Sequence, residues 1–102
     1  MSDAKLVKSW KITETLLERA RHALPVRHDQ EYAVFLSRYR EFLEHNELEL
    51  ALDMLEELGY LVSAHGGFWR DLERAAENMG LVDRLPAFRK AFSEALEPPK
   101  PR

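Results

Sequence analysis

Residues 47–61, ELELALDMLEELGYL, decide the architecture of this chain. Leu48, Ala51, Leu52, Leu55 and Leu58 recur at steps of three and four, which places them on one side of a helix. Glu49, Asp53 and Glu56 follow i, i+4, i+7 spacing and share the opposite side, with Tyr60 continuing that line one turn on. The spacing predicts a helix from about 47 to 61 with a stripe that has to be buried against other elements.

The flanking segments repeat that pattern. Upstream, Tyr32, Phe35, Leu36, Tyr39 and Leu43 describe a helix that starts at Asp29 as N-cap and ends near His45 and Asn46. Before it, Leu6, Trp10, Leu17, Ala20 and Leu24 form a stripe over about 3–24, with Thr13 in the missing position; Pro25 ends that segment. A later start is also open there, because Thr15 and Glu18 have capping-box spacing. Downstream, Phe68, Leu72, Ala75, Ala76 and Met79 predict a helix over about 68–79. Leu85, Phe88, Phe92 and Leu96 predict a last one from near Asp83, with Pro86 inside its first turn, where a missing N–H costs nothing. Gly59, Gly66-Gly67 and Gly80 read as the breaks between segments.

With 102 residues, short connections and no credible strand, the expected fold is all-α: a single-domain bundle of four to five helices over 1–97. Residues 98–102, Pro-Pro-Lys-Pro-Arg, read as a disordered tail. The two helical hairpins, 31–58 and 68–96, share no residue signature, so no repeat is inferred.

Composition narrows function by exclusion. A 45% apolar share argues against disorder, and no apolar run approaches the roughly 18 residues of a membrane span. The charged opening residues argue against a secretory signal, so cytoplasmic residence is expected. Cysteine is absent, which removes thiol chemistry. His22, His28, His45 and His65 have no partner at metal-ligand spacing, and His45 is explained by the dipole of the helix it ends. No metal, cofactor or catalytic residue is expected, since the serines lack a nucleophile-elbow setting and Gly66-Gly67 lacks the context of a phosphate loop.

Charge is distributed unevenly. Residues 1–28 carry a net +3, residues 29–60 a net −7 and residues 61–102 a net +1, for −3 overall, a poor match to nucleic acid. Between Glu41 and Glu57 stand seven acids and no Lys or Arg. Like charges at i, i+4 cost roughly 0.2–0.5 kcal/mol per pair, so neutralising Glu49, Asp53 and Glu56 is expected to leave stability equal or slightly higher. Two readings compete: a plain solvated face, cross-paired with Lys or Arg of the first helix, or a surface for a basic partner. Arg70, Asp71, Glu73, Arg74 and Glu77 read as an ordinary mixed-sign solvated face. Tyr60 and Trp69 fall off the clean core stripes; Trp69 either closes the end of the core or anchors a partner.

The block Phe42-Leu43-Glu44-His45-Asn46-Glu47-Leu48-Glu49-Leu50-Ala51-Leu52-Asp53-Met54-Leu55 resembles the middle of the MafI family of bacterial immunity proteins. The likeness extends through Leu58 to Phe68-Trp69-Arg70 and Met79, about half the chain. The resemblance implies an all-α fold, no enzymatic activity, cytoplasmic residence and binding to one cognate toxin. It assigns no binding residues; those come from the charge pattern. Under this reading Glu49, Asp53 and Glu56, with Glu44, Glu47 and Glu57 at the margin, fill the basic cleft of a toxin such as a nuclease, and Tyr60 and Trp69 add apolar anchorage. The alternatives are a helical adaptor for another basic protein and, third, a small enzyme with a His-carboxylate site between helices.

Overall fold

The computed structural model describes residues 2–96, with side chains over 8–95, and within it five helices follow one another. They are α1 (Ser2–His22), α2 (Gln30–Glu44), α3 (Leu48–Val62), α4 (Gly66–Asn78) and α5 (Leu85–Leu96), with a single 3-10 turn at Val82–Arg84 leading into α5. The expected tail at 98–102 and the side chains of Leu6 and Leu96 lie outside the described residues.

Local chemistry sets the boundaries. Asp29 caps α2, its carboxylate accepting the Tyr32 amide at 3.2 Å. The ends of α2, α3 and α4 close alike: the amides of Glu47, Ala64 and Leu81 donate to the carbonyls of Phe42, Gly59 and Ala76 at 2.8–2.9 Å. In each, the residue before the donor is left-handed: Asn46 at φ 57°, Ser63 at 52° and Gly80 at 75°. Gly80 therefore marks a break as expected, but two other glycine readings are corrected. Gly66 and Gly67 begin α4, and the chain turns at Ser63 instead. Gly59 lies within α3, where the Phe68 and Trp69 rings press so closely on the backbone that no Cβ fits.

The expected core stripe of α3 is buried in full: Leu48, Ala51, Leu52, Leu55 and Leu58. Helix α3 packs between α2 and α4 and also touches α1, while α4 is the hub, flanked by α1, α3 and α5. That position explains why Asp71 and Glu73, expected in water, are buried instead. Arg19 of α1 grips Asp71 with Nη2 at 2.7 Å, and Glu73 takes Arg70 at 3.2 Å and Arg89 of α5 at 2.9 Å. A helix covered on three sides has little outer face, so its acids survive burial only by pairing.

Helix α1 runs antiparallel to α4, since Arg19 meets Asp71 and Thr13 meets Asn78. The Asn78 amide donates to the Ser9 carbonyl at 2.9 Å and to Thr13 Oγ1 at 2.7 Å, which satisfies the buried threonine in the apolar stripe. The first turns of α1 consequently overhang the end of α4. Trp10, read as a core residue, sits at this overhang and stays 45% exposed. The alternative start near Thr15 is also corrected: its hydroxyl donates to the Lys11 carbonyl at 2.8 Å inside a continuous helix. The resulting body is elongated, 59 × 28 × 19 Å. No described helix is long and apolar enough to cross a membrane.

Candidate partner-binding surface

The acids of residues 44–57 do not form one surface. Glu44 faces a hollow between α1 and α2 that also holds Arg21 and Arg40. Glu47 lies in the turn before α3, exposed. Glu49 borders a different hollow, beneath Trp10 and beside Met79 and Leu81. Asp53 and Glu56 hold Arg84 between them, which corrects the expectation that neutralising them costs no stability: Nη1 is 2.8 Å from Asp53 Oδ1 and Nη2 is 2.7 Å from Glu56 Oε1. The cross-pairing cation thus exists, but it is not the expected one from α1; it comes from the turn before α5, 28 residues from Glu56. Burial works against the Arg84 charge, and the Glu56 and Asp53 carboxylates outweigh it, raising its pKa above the usual guanidinium value.

Tyr60 is where the expected surface takes shape. It is 54% exposed, and its ring lies 4.8 Å from that of Trp69, tilted by 43°. Trp69 itself is 3% exposed, which removes it as an anchor open to a partner in the free protein. Its indole donates to the Ala64 carbonyl at 3.1 Å, and its ring meets Phe68 edge-on at 5.0 Å and stacks at 6.3 Å from Phe88. Trp69 is therefore the fixed backing on which Tyr60 rests, and bare Gly59 is what lets it sit so near α3.

A hollow opens on each side of Tyr60. One, of 240 Å³, is lined by Ser63, Trp69, Ala91, Ala95 and the carboxylate of Glu94. The other, of 330 Å³, has Phe35 and Leu61 with the carboxylates of Glu31 and Glu57. Partial burial, then the charges of Glu56, Glu94 and Glu57, push the Tyr60 hydroxyl above its ordinary pKa, so negative potential from α3 and α5 converges on this ring. Of the expected residues, Glu56, Glu57 and Tyr60 come together here, while Glu44, Glu47 and Glu49 lie elsewhere. Glu31 and Glu94 were missed, and Phe35 was read only as part of the α2 stripe; no local pattern joins them to Tyr60, because they arrive from α2 and α5 only when the bundle closes.

Three of the four histidines stand at helix ends. His22 Nδ1 lies 2.7 Å from the Glu18 carbonyl, His45 is the C-cap of α2, and His65 is the N-cap of α4. Among the described residues, no group of three His, Asp or Glu side chains is placed to hold a metal, and no buried side-chain polar atom lacks a partner.

Taken together, the chain is an all-α domain with an exposed aromatic ring, Tyr60, set between carboxylates from three helices. No protein-family model, curated protein or solved structure matches it.

Proposed function

We propose that this protein is an immunity protein, binding and neutralising a cognate toxin domain with a basic active cleft, and that it does so through Tyr60 and the carboxylates around it. The observation that carries this reading is the half-exposed Tyr60, fixed from behind by buried Trp69 and bordered by Glu31, Glu57 and Glu94. Aromatic residues on rigid supports are typical interface anchors, and surrounding charge steers encounter with a partner of opposite sign. A nuclease cleft has that sign because it must hold phosphate. The resemblance of Phe42–Leu55 to the MafI family supports the same reading.

Co-expression in a bacterial host with the polypeptide encoded beside this chain tests it. Wild type relieves growth arrest by that polypeptide; Tyr60→Ala combined with Glu57→Gln loses protection while its circular dichroism spectrum and melt stay near wild type. Protection that survives this double substitution removes the surface from the reading. No protection by wild type removes the toxin, and the same surface then serves an adaptor for another basic protein.

A further inference from the structure

Twice within this chain an arginine lies over an aromatic ring while a neighbouring carboxylate holds its guanidinium. Arg70 sits 4.3 Å from the Phe92 ring centroid and pairs with Glu73. Arg84 sits 5.5 Å from the Phe88 centroid and pairs with Asp53 and Glu56. The hollows beside Tyr60 have the same ingredients, an aromatic wall and a carboxylate rim, yet among the described residues no Lys or Arg pairs with Glu31, Glu57 or Glu94. Resting on the partner-binding reading above, we infer that each hollow receives one arginine side chain of a protein partner, so that two arginines flank Tyr60.

Size and chemistry support this occupant. At 240 and 330 Å³ the hollows fall at or below the lower end of small-molecule sites, about 300–1,000 Å³. A side chain fits where a metabolite would stay largely in solvent. Each hollow offers apolar wall to an aliphatic stem: Ala91, Ala95 and Trp69 in one, Phe35 and Leu61 in the other. The carboxylates stand where a charged head emerges. Arginine meets all three features better than lysine, because its flat guanidinium stacks on a ring and forks onto a carboxylate at the same time. The two hollows share Tyr60 as a wall, so one partner segment reaches both and the second contact is made at high effective concentration.

The test uses the full chain carrying Trp10→Phe, which leaves Trp69 as the single indole and places the reporter in the wall of one hollow. Blocked helical peptides with two arginines three or four residues apart are titrated against Trp69 fluorescence, beside versions with one arginine, two lysines or two citrullines. At least one two-arginine peptide is expected to bind about ten-fold more tightly than either one-arginine peptide, with two lysines weaker and two citrullines silent. Glu94→Gln, or Glu31→Gln with Glu57→Gln, should reduce it to the one-arginine level. Glu47→Gln removes the same charge elsewhere and should change nothing. The inference is overturned if two arginines bind no better than one, if no two-arginine peptide binds at low salt, or if Glu47→Gln weakens binding as much as Glu94→Gln. Failure here with protection intact in the co-expression assay leaves the immunity reading with a different partner chemistry; binding here without protection keeps the arginines and removes the toxin.

Discussion

Alanine at Gly59 sets two well-measured effects against each other. In a helix interior alanine is favoured over glycine by about 1 kcal/mol, and on that ground alone the substitution stabilises. The added Cβ would stand 2.7 Å from Trp69 Cη2 and 2.9 Å from Cζ2, and closer still to Phe68 Cε1. Neither ring has room to retreat: Phe68 is fully buried, and Trp69 is tied by its indole to Ala64. Overpacking a core costs about 1–3 kcal/mol, and three such contacts on two confined rings call for the upper end. The net loss is then about 2 kcal/mol, which lowers the melting temperature of a domain this size by roughly 8–16 °C. Thermal and urea melts followed by circular dichroism measure it, with the near-ultraviolet band reporting the shift of Trp69. Gly67→Ala is the matched control, because its Cβ meets only the His65 ring at 3.8 Å; it should be neutral or stabilising. A Gly59→Ala protein as stable as wild type would refute the claim that the rings are held against α3.

Neutralising Asp53 and Glu56 together, as Asp53→Asn with Glu56→Gln, should destabilise by about 1–2 kcal/mol, more than an exposed pair and less than a fully buried one, since it strips Arg84 of both partners. Urea titration checks this, and Glu49→Gln, which disturbs no ion pair among the described residues, should leave the midpoint unchanged. The cap of α2 should make the acid limb of stability steeper. Burial acts to raise the Asp29 carboxyl, but the Tyr32 amide, its own amide and Arg27 outweigh it and hold its pKa below the usual value. Its stabilising contribution is therefore complete above the unfolded carboxyl pKa of about 3.9 and is lost as pH falls through the lower folded value. Asp29→Asn still caps the helix but does not titrate, so its melting temperature should fall less than that of wild type from about pH 5 to about pH 2.

What the chain states locally was readable in its order of residues. Asp29 before the Tyr32 stripe, the Leu48-to-Leu58 stripe and Pro86 in a first turn each depend on neighbours within a few positions, and each took its expected place. The misreadings share a cause, which is dependence on which helix lies opposite. Glu49, Asp53 and Glu56 have the same spacing and charge, but only the last two find Arg84. Asp71 and Glu73 carry the periodicity of a solvated face on a helix that is enclosed on three sides. Gly59 looks like a break because a missing Cβ is the same symbol whether the chain bends there or a ring needs the space. The site around Tyr60 was half legible for the same reason: Glu56, Glu57 and Tyr60 share α3, whereas Glu31 and Glu94 come from elements on either side of it.

Pairing α1 with α4 has a consequence for how the protein is made. The contacts of α1 with α4 join residues 52 to 69 positions apart, such as Arg19 with Asp71 and Ser9 with Asn78. The hairpins α2–α3 and α4–α5 close over short loops, but α1 leaves the ribosome well before α4, its main partner. At about 5–20 residues per second, its apolar stripe waits roughly 3–14 s for α4 to emerge. Docking of α1 on α4 then closes the longest loop between packed helices among the described residues, and closure entropy grows with that length. A ribosome paused before α4 therefore holds a nascent chain whose α1 stays open to chaperones until α4 arrives.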